Sequence, residues 1–263
     1  VKDILSSVEP QILFENTNLL IVFKPSNLLS VRSRFHKENP LPNLIDLLSD
    51  KTKCMLLPVH RLDFEVAGLV LLAKNKNSQS QLSSYLEKRL LKKTYRALSL
   101  ESDLQLFTKL PFEIEKINLQ KNTYFEWKSK ILRGKKRSYS SPKGDNAVTE
   151  ASYLGSEKIH SFKIHKWELH PLTGRSHQLR FEMARHSHPI VGDNLYFAPL
   201  APSYKKGIAL VAQKLDFSNC SNYQSLGLSA EFSLAINWSS ILEQIVLRAE
   251  ESIAGGASKS SRA

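Results

Sequence analysis

Leu19-Leu20-Ile21-Val22-Phe23 is a continuous apolar run with β-branched members that stops at Lys24-Pro25. Five residues are too few for a helix, so the run predicts a buried strand. Leu69 to Ala73 predicts a second one. Leu44-Ile45 and Leu47-Leu48, following Asn43, make one apolar face of a short helix. From Ser78 to Leu91, the residues Leu82, Tyr85, Leu86 and Leu90 recur at the three-and-four spacing of an amphipathic helix, with Ser78 as its expected cap. Thr94 to Leu100 reads as a strand. Phe125, Trp127 and Ile131 alternate with Glu126, Lys128 and Lys130, the pattern of a half-buried strand with a basic outer face.

Gly134 to Asn146 is polar, basic and rich in turn formers, and reads as a loop. Val148 to Leu154 and Phe162 to Leu169 are further strands, the second breaking phase between Ile164 and Trp167 as a bulge would. Ser176 to Arg185 reads as helix, Ile208 to Phe217 and Ala230 to Ile236 as strands, and Ser239 to Glu251 as a last helix. Strands outnumber helices and many follow one another directly. The expected fold is therefore α+β, with a mixed, largely antiparallel sheet and flanking helices. No internal repeat and no long linker interrupts it. A single domain over 1–252 is expected, followed by a disordered basic tail over 253–263.

Composition narrows the function. The chain has 263 residues, 41% hydrophobic and 24% charged, enough for a sizeable core. No apolar run reaches the roughly 18 to 20 residues of a membrane-spanning helix, so no membrane partner is expected. Val1 to Glu15 lacks a signal-peptide pattern. Cys54 and Cys220 cannot build a disulfide framework, which points to a reducing, cytoplasmic location. The net charge of +12 favours a polyanion such as nucleic acid. The charge is clustered. Lys88, Arg89, Lys92, Lys93 and Arg96 lie together without an acid, as do Lys128, Lys130, Arg133, Lys135, Lys136, Arg137 and Lys143. Such clusters suit phosphate contacts, and equally a solvated face with a basic loop.

No Gly-rich dinucleotide loop, phosphate-binding P-loop or Gly-x-Ser-x-Gly elbow is present. His186-x-His188, with His177 nearby, has metal-ligand residue types, but neither cysteine is close and neighbouring arginines repel cations; no metal is expected. Four segments remain. Val59-His60-Arg61-Leu62-Asp63 places an acid between two apolar runs, where it can cap a turn or do chemistry. Lys93-Thr94-Tyr95-Arg96-Ala97 puts an aromatic amid positive charge, either to stack a base or to fill the core. Leu172-Thr173-Gly174-Arg175-Ser176-His177-Gln178-Leu179-Arg180 sets two arginines at a helix start, where anions bind. His188-Pro189-Ile190-Val191-Gly192-Asp193-Asn194-Leu195-Tyr196 is a turn with apolar flanks.

In order and wording, these segments resemble the pseudouridine synthases of the RluA type. The family's His-Arg-Leu-Asp and Gly-Leu-Leu-Leu-x-Ala-Lys wording corresponds to His60–Asp63 and Gly68–Lys74. Its Lys-x-Tyr-x-Ala corresponds to Lys93, Tyr95 and Ala97, and its Thr-Gly-Arg-x-His-Gln segment to Thr173–Arg180. Its Pro-Ile-x-Gly-Asp-x-x-Tyr corresponds to Pro189–Tyr196, and an opening Glu-to-Lys-Pro pattern to Glu15–Pro25. The similarity spans roughly residues 11 to 217. One departure stands out: Val66-Ala67 replaces the family's usual Thr-Ser before the glycine.

The resemblance implies a pseudouridine synthase fold with a central catalytic cleft, and cofactor-independent isomerisation of uridines in ribosomal or transfer RNA. Uracil is detached from ribose, turned, and rejoined through a carbon–carbon bond. It implies Asp63 as the essential carboxylate, Arg175 as its partner, and Tyr95 against the target base, which must be extruded first. Arg61 is then expected to fill the vacated space or hold a phosphate. His60, Lys74, His177, Gln178 and Arg180 are expected to support the site and its RNA. Lys128, Lys130, Lys135, Lys136 and Arg137 are expected to contact the RNA backbone. The expected partner is RNA alone, with no small-molecule cofactor and a monomeric protein. A non-catalytic RNA-binding protein that keeps the fold, and a hydrolase using Asp63 with water, are the alternatives.

Overall fold

The computed structural model describes residues 4–33, 41–101, 110, 112–159, 162–198 and 207–238. In chain order, the strands and α-helices among them are β1 (Gln11–Glu15), β2 (Leu19–Lys24), α1 (Leu44–Thr52), β3 (Leu57–Pro58), β4 (Ala67–Ala73), α2 (Lys76–Glu87), β5 (Lys92–Leu100), β6 (Tyr124–Arg133), β7 (Ser138–Ser140), β8 (Asp145–Ile159), β9 (Phe162–Pro171), α3 (Gln178–Arg185), β10 (Leu210–Asp216) and β11 (Glu231–Ser233). This is the α+β, mixed and largely antiparallel arrangement that the hydropathy pattern predicts. The chain divides into two compact units, residues 1–95 with 211–236, and residues 96–210 with 237–263. The expected final helix and the tail lie outside the described residues.

In the first unit, β2 and β4 pair antiparallel from Leu19–Ala73 to Lys24–Gly68, and every residue of both strands is buried. That explains their unbroken apolar wording: a strand covered on both faces has no polar side to alternate with. β1 flanks β2, β3 flanks β4, and β10 runs parallel to β4 through Val211–Ala67 and Ala212–Gly68. Gly68 has φ +129, and a Cβ there would lie 2.4 Å from the Ala212 carbonyl oxygen. Only glycine tolerates both the backbone conformation and the close approach.

The two helices of this unit are capped by asparagines. Asn43 accepts from the Asp46 amide and Asn75 from the Ser78 amide. The expected cap of α2, Ser78, is thus a buried residue of its first turn. The helix ends at Glu87, with the chain turning at Arg89 (φ 58) rather than running on to Leu91.

In the second unit the strand order is β5-β9-β8-β6-β7. β6 alternates as its sequence predicts, with Trp127 and Ile131 buried and Glu126, Lys128 and Lys130 exposed. The expected loop over 134–146 instead holds β7, paired with β6 through Ile131–Ser140, Leu132–Tyr139 and Arg133–Ser138. The Tyr196 hydroxyl accepts the Ser138 amide at 2.9 Å, a partner 58 residues away that local composition does not reveal. The register shift falls on β8 between Tyr153 and Gly155, opposite Trp167 and Lys166. The phase break in β9 therefore marks the neighbour's bulge, at which Gly155 takes φ +118. Phe112, Ile131, Ala147, Phe181, Ala184 and Tyr196 form a core cluster over which α3 lies, and seven of its eight residues are buried.

Candidate active site

Asp63 sits in the turn that leads into β4. Its carbonyl accepts the Val66 amide at 3.2 Å, closing a turn over Phe64 and Glu65. Two residues from the opening segment hold this turn. The Ser30 hydroxyl accepts the Leu62 amide at 3.0 Å and donates to the Leu62 carbonyl at 2.7 Å. The Lys24 ammonium, at the end of β2, donates to the carbonyls of Pro25 (2.9 Å), Leu28 (2.7 Å) and Phe64 (3.3 Å).

Lys24 is fully buried, and burial draws its pKa down from 10.5 to about 7, opposed by the negative charges of Asp63 and Glu65. A buried lysine therefore holds the backbone of the turn that carries the candidate carboxylate. The sequence suggests Lys24 only as a strand terminator, and nothing suggests Ser30. The available signal was the opening Glu-to-Lys-Pro wording that Glu15–Pro25 shares with the family.

Tyr95 on β5 is buried. Burial, and then the charge of Asp63, push its hydroxyl above the usual tyrosine range, so it remains protonated. His60 accepts the Leu71 amide on Nε2 at 3.2 Å, which puts its proton on Nδ1. Burial, with the Lys93 charge second, lowers its pKa to about 3, so it is a neutral brace between turn and strand. Its Nδ1 is buried with no partner among the described residues. Lys93 is itself pushed down by burial. Lys74 pairs with Glu15 at 2.6 Å, and its amide donates to the Asn18 carbonyl, tying the β4 segment to the opening segment. Arg61 is exposed. Val66 and Ala67, in place of the usual hydroxyl pair, point into the core with 2% and 5% exposure.

The second unit carries the Thr173–Arg180 segment. Gln178 is buried and knits the turn: its Oε1 accepts from the Thr173 hydroxyl (2.7 Å) and the Arg175 amide (3.0 Å). Its Nε2 donates to the Val148 carbonyl (3.0 Å) and the Thr149 hydroxyl (2.9 Å). Arg175 donates to the Asn146 carbonyl at 3.0 Å and lies 3.5 Å from the Asp145 carboxylate. His177 takes φ 53 at the start of α3, its Nδ1 3.4 Å from the Tyr196 hydroxyl.

Three residues expected to support the site or contact RNA make internal contacts here. Arg180 is 1% exposed and grips Asp193 through two bonds of 2.7 and 2.8 Å, beneath the Tyr196 ring. Gln178 is spent on the turn. Arg137 packs its guanidinium 4.8 Å from the Phe197 ring centre and donates to the Leu195 carbonyl. Gln178 and Arg180 thus make the internal contacts of site support, and Arg137 is half-buried. Lys128, Lys130, Lys135 and Lys136 are exposed as expected, Lys128 beside Glu126.

Among the described residues, no group of three or more His, Cys, Asp or Glu side chains could hold a metal ion, and no helix is long and apolar enough to cross a membrane. The α+β fold thus carries a half-buried aspartate on a turn whose backbone is bonded by a buried lysine. The family described as RNA pseudouridylate synthase matches residues 18–185, a span that contains Lys24, Ser30, His60, Asp63, Tyr95, Arg175 and Gln178. The chain belongs to that family, and is an isomerase of RNA uridine. It is 32% identical over 208 residues to the dual-specificity RNA pseudouridine synthase RluA of Vibrio parahaemolyticus, covering 78% of this chain and 76% of that one. It is 31% identical to the protein of the same name from Vibrio cholerae over equal shares. Among solved structures, human RNA Pseudouridylate Synthase Domain Containing 1 superposes with a TM-score of 0.60 at 19% identity, over 90% of this chain and 94% of that one, a likeness of fold.

Proposed function

We propose that the protein isomerises specific uridines in ribosomal or transfer RNA, with Asp63 as the essential carboxylate. The observation that carries the reading is the place of Asp63 on a turn whose backbone is locked by the Ser30 hydroxyl and the buried Lys24 ammonium, within the span that matches the RNA pseudouridylate synthase family. A carboxylate on a turn whose backbone is fixed is held aimed, as a nucleophile or a promoter of base loss must be. Tyr95, protonated, offers a ring face and a hydroxyl to an extruded uracil. In the isomerisation, the N1–C1′ bond breaks, C5 bonds to C1′, the C5 proton leaves and N1 takes one up. No electron acceptor or cofactor is needed for that balance.

The role of Arg175 as partner of Asp63 rests on the motif resemblance. The exposed lysines 128, 130, 135 and 136 supply charge for the RNA backbone. The Vibrio relatives are dual-specificity RNA pseudouridine synthases, which supports more than one RNA as a substrate of this chain.

The test is tritium release from RNA labelled at uridine C5 and isolated from cells lacking the gene. Asp63→Asn should lower turnover at least about a thousandfold while leaving RNA affinity within a few-fold. Turnover near wild type in that variant removes Asp63 from the chemistry. In the same assay Arg175→Leu should lose most of the rate, and a wild-type rate there removes the pairing.

A further inference from the structure

Phe64 follows the candidate catalytic aspartate directly and leaves 39% of its surface in water. A single exposed ring on a protein surface ordinarily means nothing. Its setting makes this one different. The turn that carries it is held at three points: the Leu62 backbone by Ser30, the Asp63 carbonyl by the Val66 amide, and the Phe64 carbonyl by the Lys24 ammonium. The ring is therefore presented on a fixed backbone. With adjacent Cα atoms 3.8 Å apart, it lies within about 10 Å of the Asp63 carboxylate.

The surroundings limit what it can meet. Asp63 and Glu65 flank it, so a phosphate is repelled from this spot while the face of a base is not. Val66 and Ala67 are buried and carry no hydroxyl, so the exposed side chains of the turn are Arg61 and Phe64. An extruded uridine leaves its neighbours with an unstacked face, and a fixed aromatic ring is the group that covers one.

We propose that Phe64 stacks on a base flanking the target uridine, as a positioning residue that secures the opened strand while Asp63 acts. The inference rests on the function proposed above. Stacking is tolerant of base identity, so Phe64 contributes affinity and alignment rather than choice of sequence.

The test compares Phe64→Ala, Phe64→Leu, Phe64→Tyr and Phe64→Trp with wild type. The readouts are tritium release from C5-labelled bulk RNA of cells lacking the gene, and filter binding of the same RNA across salt concentrations. Phe64→Ala and Phe64→Leu should raise KM and Kd about tenfold, with kcat changed less than threefold and the salt slope unchanged. Phe64→Tyr and Phe64→Trp should restore both constants. Alanine or leucine variants that bind and turn over like wild type overturn the stacking role, as does a leucine variant equal to the aromatic ones.

The two readings fail separately. Wild-type protein that releases no tritium, yet loses RNA affinity in Phe64→Ala with rescue by Phe64→Trp, keeps the stacking contact and sinks the isomerase assignment. Full turnover in Phe64→Ala with none in Asp63→Asn does the reverse.

Discussion

The ammonium of Lys24 donates to the carbonyl of Phe64 at 3.3 Å, joining the end of β2 to the turn that presents Asp63. The same ammonium holds two carbonyls of its own segment, so its removal leaves three buried acceptors to re-solvate. Lys24→Met should therefore cost about 2 to 4 kcal/mol of stability and lower kcat by loosening the turn, with a smaller effect on RNA affinity. Urea unfolding and tritium release read the two effects. Wild-type kcat in a folded Lys24→Met protein would show that the turn keeps its shape without the lysine.

Arg180 and Asp193 form a fully buried, two-bonded pair with side-chain exposures of 1% and 0%. Removing one partner strands the other charge, so Arg180→Met should destabilise by about 3 to 5 kcal/mol. The double variant Arg180→Met, Asp193→Leu should recover part of that loss. A single variant within 1 kcal/mol of wild type by urea unfolding would mean that the pair is not what holds α3 to the following turn.

Three histidines of the second unit are buried in an aromatic cluster. His186 stacks on Trp127 with ring centres 4.3 Å apart, and His188 lies 4.9 Å from His165 and 5.3 Å from Trp167. Burial lowers His186 to about 4 and His188 to about 3, and pushes His165 down as well. Their folded pKa values lie below the unfolded one near 6.5, so the unfolded chain binds protons first. Stability is intact above about pH 6.5 and is lost as pH falls toward 3 to 4. At pH 5, His186 and His188 should each remove on the order of 2 kcal/mol. Urea midpoints at pH 7.5, 6 and 5 test this. A flat midpoint over that range contradicts it, and His188→Gln should shallow the slope.

Lys135 and Lys136 stand exposed at the hairpin that joins β6 to β7, where Arg133 steadies the backbone by donating to the Lys136 carbonyl at 3.0 Å. Reversing both charges to glutamate should weaken RNA binding and reduce the magnitude of its salt slope by about 2, one for each lost phosphate contact. An unchanged slope makes the hairpin a bystander.

Local pattern determined a large part of this protein. The continuous apolar wording of β2 and β4, the buried face of α2 and the alternation of β6 are properties of neighbouring residues, because strand and helix periods of two and 3.6 are written over a few positions. The order of the motifs likewise carried the family. Tertiary structure decided where the polar side chains end up. Lys24 looks like a strand terminator until its acceptor 40 residues away is seen, Ser30 is silent until it meets Leu62, and Arg180 looks like an RNA ligand until Asp193 takes both its bonds. Strand β7 exists because Ile131 to Arg133 and Tyr196 supply partners to a segment whose own composition favours a loop. The division follows from physics: burying apolar surface needs only a periodic pattern, whereas a buried charge or amide needs one specific partner, and the fold alone brings that partner within 3 Å.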